Sequence, residues 1–227
     1  PDARQMCRQI PKFLRKNKKA REQLKYILTS AGSAKMLPKS RQYKALKEMQ
    51  PDIKHFHVAP ALWLAEKSVE AGVDGLVVTG TEGGGHQSYE KVSSLVVLQE
   101  CLEKFPDTPI VACGGFATGR AVASALTMGA GAVAMGSRFI ASKESEFHEN
   151  YKNVIPPAKS TDTVLVTGVF GPIRLWKNKY AESHGLVVDR EAKMAEEASM
   201  TPEDLLEEQR HYELVYHRSE ERRVGKE

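Results

Sequence analysis

The sequence predicts an α/β protein of the (β/α) barrel type, and three observations carry that prediction. From Tyr26 onward, short apolar runs alternate with amphipathic segments of about 10 to 15 residues, the order of a parallel sheet with crossover helices. The apolar runs are nearly unbroken, as in strands buried on both faces. Two turns, Ala71-Gly72-Val73-Asp74-Gly75 and Met128-Gly129-Ala130-Gly131-Ala132, share one pattern: glycine ends a helix and the chain passes straight into a strand.

Taken in order, the chain opens on a basic segment with nine Lys or Arg from Arg4 to Lys25. Ile10, Phe13 and Leu14 fall at helical spacing there, and Phe13 alone among aromatics interleaves the charges, so a solvated helix face is expected and a nucleic-acid partner is not. Strands are predicted at Tyr26–Ser30, His55–Val58, Gly75–Thr79, Pro109–Ala112 and Ala132–Met135. Helices are predicted at about Lys39–Met49, Ala61–Ala71, Ser93–Phe105 and Gly119–Met128. In the second of these, Ala61, Leu62, Leu64, Ala65 and Val69 recur at the helical period.

Beyond Phe139 the pattern loosens. Ser142-Lys143-Glu144-Ser145 reads as a helix start, ended by Pro156-Pro157. Thr163–Thr167 reads as extended, and Gly171–Trp176 leads into a basic and apolar stretch. Thr201-Pro202-Glu203-Asp204 has the form of a helix opening, with a capping hydroxyl, proline at the first helical position and acids in the first turn. The tail Ser219–Glu227 is polar and unpatterned, as in a disordered or foreign segment.

At 227 residues, 41% hydrophobic, with mean hydropathy −0.42 and net charge +4, the chain suits one large globular domain. No apolar run approaches the ~18 residues that span a bilayer. No apolar signal segment opens the sequence, so a membrane partner is not expected and a cytoplasmic location is. Cys7, Cys101 and Cys113 are odd in number and lack metal-type spacing, which predicts neither a disulfide framework nor a metal site. The sequence does not begin with Met, and a native N-terminus further upstream is expected.

Chemistry concentrates in three segments. Thr81-Glu82-Gly83-Gly84-Gly85-His86 follows the apolar run ending at Thr79, so a strand delivers a histidine, able to exchange protons near neutral pH, to a glycine-lined turn. By itself such a triplet is equally a tight turn with a solvated histidine. Val111-Ala112-Cys113-Gly114-Gly115 then leads into a helix start at Thr118-Gly119, the form of an anion site built from bare backbone amides. Val133-Ala134-Met135-Gly136-Ser137-Arg138-Phe139 repeats the arrangement with a hydroxyl and a guanidinium. Two consecutive strand ends of this kind form the phosphate sites of parallel barrels. No P-loop lysine follows either, and Gly114-Gly115-x3-Gly119 is not the dinucleotide fingerprint. A mononucleotide such as FMN therefore fits best.

With these segments the chain resembles the nitronate monooxygenase family, formerly the 2-nitropropane dioxygenases, related to the FMN-dependent enoyl-ACP reductases. The resemblance runs from about Tyr26 to Asn178. It rests on Gly72-Val73-Asp74-Gly75, Glu82-Gly83-Gly84-Gly85-His86, Pro109 to Phe116, Met135-Gly136-Ser137-Arg138-Phe139 and Arg174-Leu175-Trp176-Lys177-Asn178. It implies an FMN-binding TIM barrel whose fourth to eighth strands are the five above. It implies that His86 handles the substrate proton, and that Gly114, Gly115, Gly136 and Ser137, with Ala134 and Met135 beside them, hold the cofactor. Gly84 falls on a loop glycine beside the flavin. Thr79 stands where nitronate monooxygenases usually carry a flavin-contacting glutamine, and Gln87-Ser88 also departs from the commoner pattern.

The implied organisation is a basic helical arm at 1–25, the FMN-binding barrel portion at 26–180, and a helical extension with a tail at 181–227. Residues 1–25 are too few to supply the first three strands, and five strands cannot close an eight-stranded barrel. The chain is therefore expected to be part of a longer flavoprotein. The implied reaction is oxidation of an alkyl nitronate or nitroalkane by O2 to a carbonyl compound and nitrite. The alternatives are an NAD(P)H-dependent enoyl-thioester reductase, and a truncated, non-catalytic interaction module.

Overall fold

A computed structural model describes residues 2–30, 33–168, 171–183, 185, 190–201 and 203. In chain order the elements are α1 (Asp2–Lys16), α2 (Lys18–Gln23), β1 (Tyr26–Thr29), α3 (Arg41–Met49), β2 (Lys54–Ala59), α4 (Leu62–Glu70) and β3 (Gly75–Val78). There follow β4 (Gly85–His86), α5 (Ser94–Lys104), β5 (Ile110–Cys113), α6 (Gly119–Met128), β6 (Ala132–Ala134), α7 (Ser137–Ile140) and α8 (Glu149–Val154). The last are β7 (Thr163–Gly168), β8 (Gly171–Trp176), α9 (Lys179–Ser183) and α10 (Arg190–Ser199). They form two compact units: residues up to Gly80 together with 92–134, and residues 81–91 together with those from Met135 onward.

The first unit is a parallel sheet in the order β1-β2-β3-β5-β6, a curled half-barrel that carries the five expected strands. In register, Leu76 lies beside His57 on one side and Ile110 on the other, and Val78 lies beside Ala59 and Ala112. These side chains share the face on which α4, α5 and α6 pack, through Ala65, Val97, Leu98, Cys101 and Ala125. β3 is buried along its whole length, which is why its sequence is uniformly apolar, whereas the edge strand β1 alternates exposed and half-buried. Helix starts are set by hydroxyls: Ser40, Ser93 and Thr118 each accept from the N–H three residues on, at 3.1, 3.4 and 3.2 Å. Gly129 ends α6 at φ +113° and Gly72 follows α4 at φ +82°, conformations that favour glycine, so both repeated turns are present.

α1 uses Leu14 to pack against Leu46 and Ile53, while Lys12, Arg15 and Lys16 stay exposed; the basic face is a solvated helix face. Asp74 ties the start of β3 to β2 by accepting from the His55 N–H at 2.8 Å, with Lys47 and Lys54 beside its carboxylate.

The second unit holds an antiparallel sheet in the order β4-β8-β7. Two expectations change there. Residues 142–145 form a turn rather than a helix start, because Ser145 accepts from the Phe147 N–H at 3.3 Å and so caps a local turn. The helix opens instead at Glu149, behind His148, whose Nδ1 accepts from the Asn150 N–H. Gly171–Trp176, which had no assigned structure, is a strand. The helix opening at Thr201 and the tail 219–227 fall largely or wholly outside the described residues. Among the described residues no helix is long and apolar enough to cross a membrane.

Candidate functional site

In the first unit, Thr79, Cys113, Gly114 and Ala134 stand together at the C-terminal ends of adjacent strands. Thr79 continues β3 by donating its N–H to the Ala59 carbonyl at 3.2 Å, and its side chain is buried. Cys113 lies opposite Ala134 at the ends of β5 and β6. Burial pushes the Cys113 thiol up. It is thus a protonated thiol at neutral pH and a poor nucleophile. Gly114 and Gly115 follow at φ +85° and +83°, consecutive left-handed positions that leave the strand end bare of side chains just before the Thr118 cap of α6.

In the second unit, Gly84 and His86 lie on one turn. A Cβ added at Gly84 would meet nothing within 4 Å, and Gly85 stands at φ +82°. His86 is a strand residue rather than a loop end: with Gly85 it forms β4, paired antiparallel to Ile173 and Arg174 of β8. The pairing continues where Gln87 donates its N–H to the Pro172 carbonyl at 2.7 Å, and the Gln87 amide reaches back to the Gly83 carbonyl at 2.7 Å. His86 is half-buried, and burial lowers its pKa from 6.5. The imidazole is neutral at pH 7, the state in which a ring nitrogen accepts a proton.

Met135, Gly136 and Ser137 enter the short helix α7, where the Gly136 carbonyl accepts from the Phe139 and Ile140 N–H groups at 3.0 Å each. Open space lies beyond Gly136, which also borders a groove of about 430 Å³ with Phe139, Ile140 and Phe147 on its walls.

Taken unit by unit, the chemistry of these donors fits a phosphate group. Among the described residues, no turn or loop backbone hydrogen bond occupies the Gly115 N–H in the first unit, or the Gly136 and Ser137 N–H groups in the second. Neutral amides and a hydroxyl suit an anionic oxygen. The sequence pattern did not mark Gly80, whose N–H donates to Ser94 Oγ at 2.9 Å, or the bond from Arg174 Nε to the Thr81 carbonyl. The available signal for Arg174 was a lone charge inside the apolar run Pro172-Ile173-Arg174-Leu175-Trp176.

Comparison with known proteins gives the family and the fold. Residues 19–212 match the family model described as "Nitronate monooxygenase". The chain is 32% identical over 153 residues to a "Probable nitronate monooxygenase" of Staphylococcus saprophyticus, covering 63% of this chain and 42% of that protein. It superposes on FabK from Thermotoga maritima, in its M276A form, with TM-score 0.60 and 33% identity over 72% of this chain and 51% of that one. A nitroalkane oxidase of Streptomyces ansochromogenes shares the fold at TM-score 0.57 and 24% identity, over 72% of this chain and 48% of that one. The chain thus spans about two fifths of the staphylococcal relative and half of each solved structure.

Proposed function

Because the chain belongs to the nitronate monooxygenase family, we propose that it contributes to an FMN-dependent oxidoreductase that oxidises alkyl nitronates with O2 to a carbonyl compound and nitrite. The observation that carries this reading is His86: a half-buried imidazole, kept neutral by burial, on a glycine turn fastened to β8. The chemistry that bound flavin supplies is electron transfer between the nitronate and oxygen.

The residues of this chain do the rest. Neutral His86 takes the carbon-bound proton of a nitroalkane, or as a donor holds the nitro oxygens of a preformed nitronate. Gly84 leaves clearance for a planar ring, since no atom lies within 4 Å of where its side chain would start. We assign phosphate binding to Gly114 and Gly115, and equally to Gly136 and Ser137, each pair through its backbone amides with the Ser137 hydroxyl added. Ala134 and Met135 line the approach to the second pair. Thr79 supplies a hydroxyl at the end of β3 where the family's usual side chain is a longer amide.

The test is nitrite release from an alkyl nitronate under air by the FMN-reconstituted protein, with a neutral nitroalkane as second substrate. Nitrite in proportion to oxygen consumed is expected. A protein that retains FMN but yields no nitrite sinks the reading. The likeness to FabK favours one second reading, an enoyl-thioester reductase that draws hydride from NAD(P)H. Anaerobic bleaching of the flavin by NADH or NADPH would select that reading over the first.

A further inference from the structure

We infer that Arg174 is the positioning residue of the histidine turn: from β8 it grips the turn's first carbonyl and so fixes where His86 stands. Its Nε donates to the Thr81 carbonyl at 2.5 Å, and its Nη1 donates to Thr163 Oγ1 on β7 at 3.0 Å. One guanidinium thus joins the turn to both strands of the β7–β8 hairpin. The far end of the turn is held by the backbone, through Gly85 and His86 on β8 and Gln87 on Pro172.

Between these two holds the chain runs through Gly83, Gly84 and Gly85, the segment with the most conformational freedom to lose. A Cβ at Gly84 or Gly85 would touch nothing, so side-chain packing does not confine them. The Gln87 amide on Gly83 and the Arg174 grip on Thr81 add to the backbone hold on β8. A guanidinium suits the task because its donors diverge in one rigid plane, whereas a lysine ammonium cannot reach both acceptors with the same geometry. Burial lowers the His86 pKa. The imidazole therefore reports how closed the turn is.

The inference rests on His86 as the proton-handling group, but its test does not require turnover. Arg174→Ala, Arg174→Lys and Thr163→Val are prepared in the ligand-free chain. His86 is titrated by NMR, and exchange of the Gln87 amide proton is followed. In Arg174→Ala the His86 pKa should climb back toward 6.5 and Gln87 exchange should quicken by about tenfold or more, with smaller changes in the other two variants. An unchanged His86 titration and Gln87 exchange in folded Arg174→Ala overturns the inference. Should that variant not fold, the same two readouts unchanged in both Arg174→Lys and Thr163→Val overturn it. In the flavin-loaded protein, Arg174→Lys should lower kcat more on a neutral nitroalkane than on its preformed nitronate, because only the former needs a placed base. Equal losses on both substrates count against it. A wild-type protein without nitrite release would sink the proposed reaction and leave the turn readouts standing.

Discussion

Gly80 admits no side chain. An added Cβ would stand 2.3 Å from the Ser94 nitrogen and 2.6 Å from the Val92 carbonyl oxygen, and backbone on both sides cannot give way cheaply. Gly84 has the opposite surroundings, with nothing within 4 Å and no positive φ. Gly80→Ala should therefore cost about 3 kcal/mol, the upper end for an overpacked site, and lower the urea midpoint. Gly84→Ala should leave stability within about 0.5 kcal/mol and instead weaken flavin binding, read by titration with FMN. Equal destabilisation by the two would contradict the assignment. His86→Asn should reduce turnover of a neutral nitroalkane by at least ~10²-fold while flavin stays bound. Because burial lowers the His86 pKa, the base form persists below pH 6.5. The wild-type rate on a neutral nitroalkane should thus be level above 6.5 and fall only as pH drops through the lowered value. A fall centred above 6.5 in a pH–rate profile would show another base. The triple glycine and His86 are legible in the sequence because they are contiguous. The jam at Gly80 is not, since the groups that cause it lie 12 to 14 residues on.

At the scale of elements, β1 and β2 are joined by more than their backbone ladder. The Thr29 hydroxyl lies 2.6 Å from His55 Nε2 and 2.7 Å from His57 Nδ1, on the helix-covered face of the sheet. A hydroxyl has one proton to give, so at most one of the two rings accepts from it, and the ring that accepts is neutral. Burial lowers the His55 pKa to about 4, with His57 and Lys47 adding to the effect and Asp74 opposing it. Burial lowers that of His57 as well. The unfolded chain binds a proton at His55 below about 6.5, the folded chain only below about 4. Stability is therefore full above 6.5 and declines as pH falls between these values, by roughly 3 kcal/mol from His55. Urea unfolding at pH 7 and pH 4.5 should show the loss, and His55→Gln should remove most of the difference. The same slope in the variant would mean that other groups titrate. The strands were readable because each lies within one apolar run. The β4–β8 pairing was not, since a two-residue strand has no period to detect.

At the scale of the molecule, the chain passes between its two units at Gly80–Thr81, Lys91–Val92 and Ala134–Met135, so the motifs singled out in the sequence are divided between them. The sheet of the first unit ends on β1 and β6 without closing on itself, as five strands require. Flavin that binds the folded state alone stabilises it by mass action. FMN should then raise the melting temperature by an amount that grows with its concentration, whereas riboflavin, which lacks the phosphate, should do so less. An equal response to the two would remove Gly114, Gly115, Gly136 and Ser137 from phosphate binding. The sequence by itself determined the β/α order, the glycine turns at Gly72 and Gly129, and the types of residue available for catalysis, because each is written in neighbours along the chain. Only the tertiary structure decided that His86 is half-buried, which lowers its pKa, and that Arg174 reaches the Thr81 carbonyl. Burial and a hydrogen bond across 93 residues depend on which segments meet in space, and no local spacing encodes that meeting.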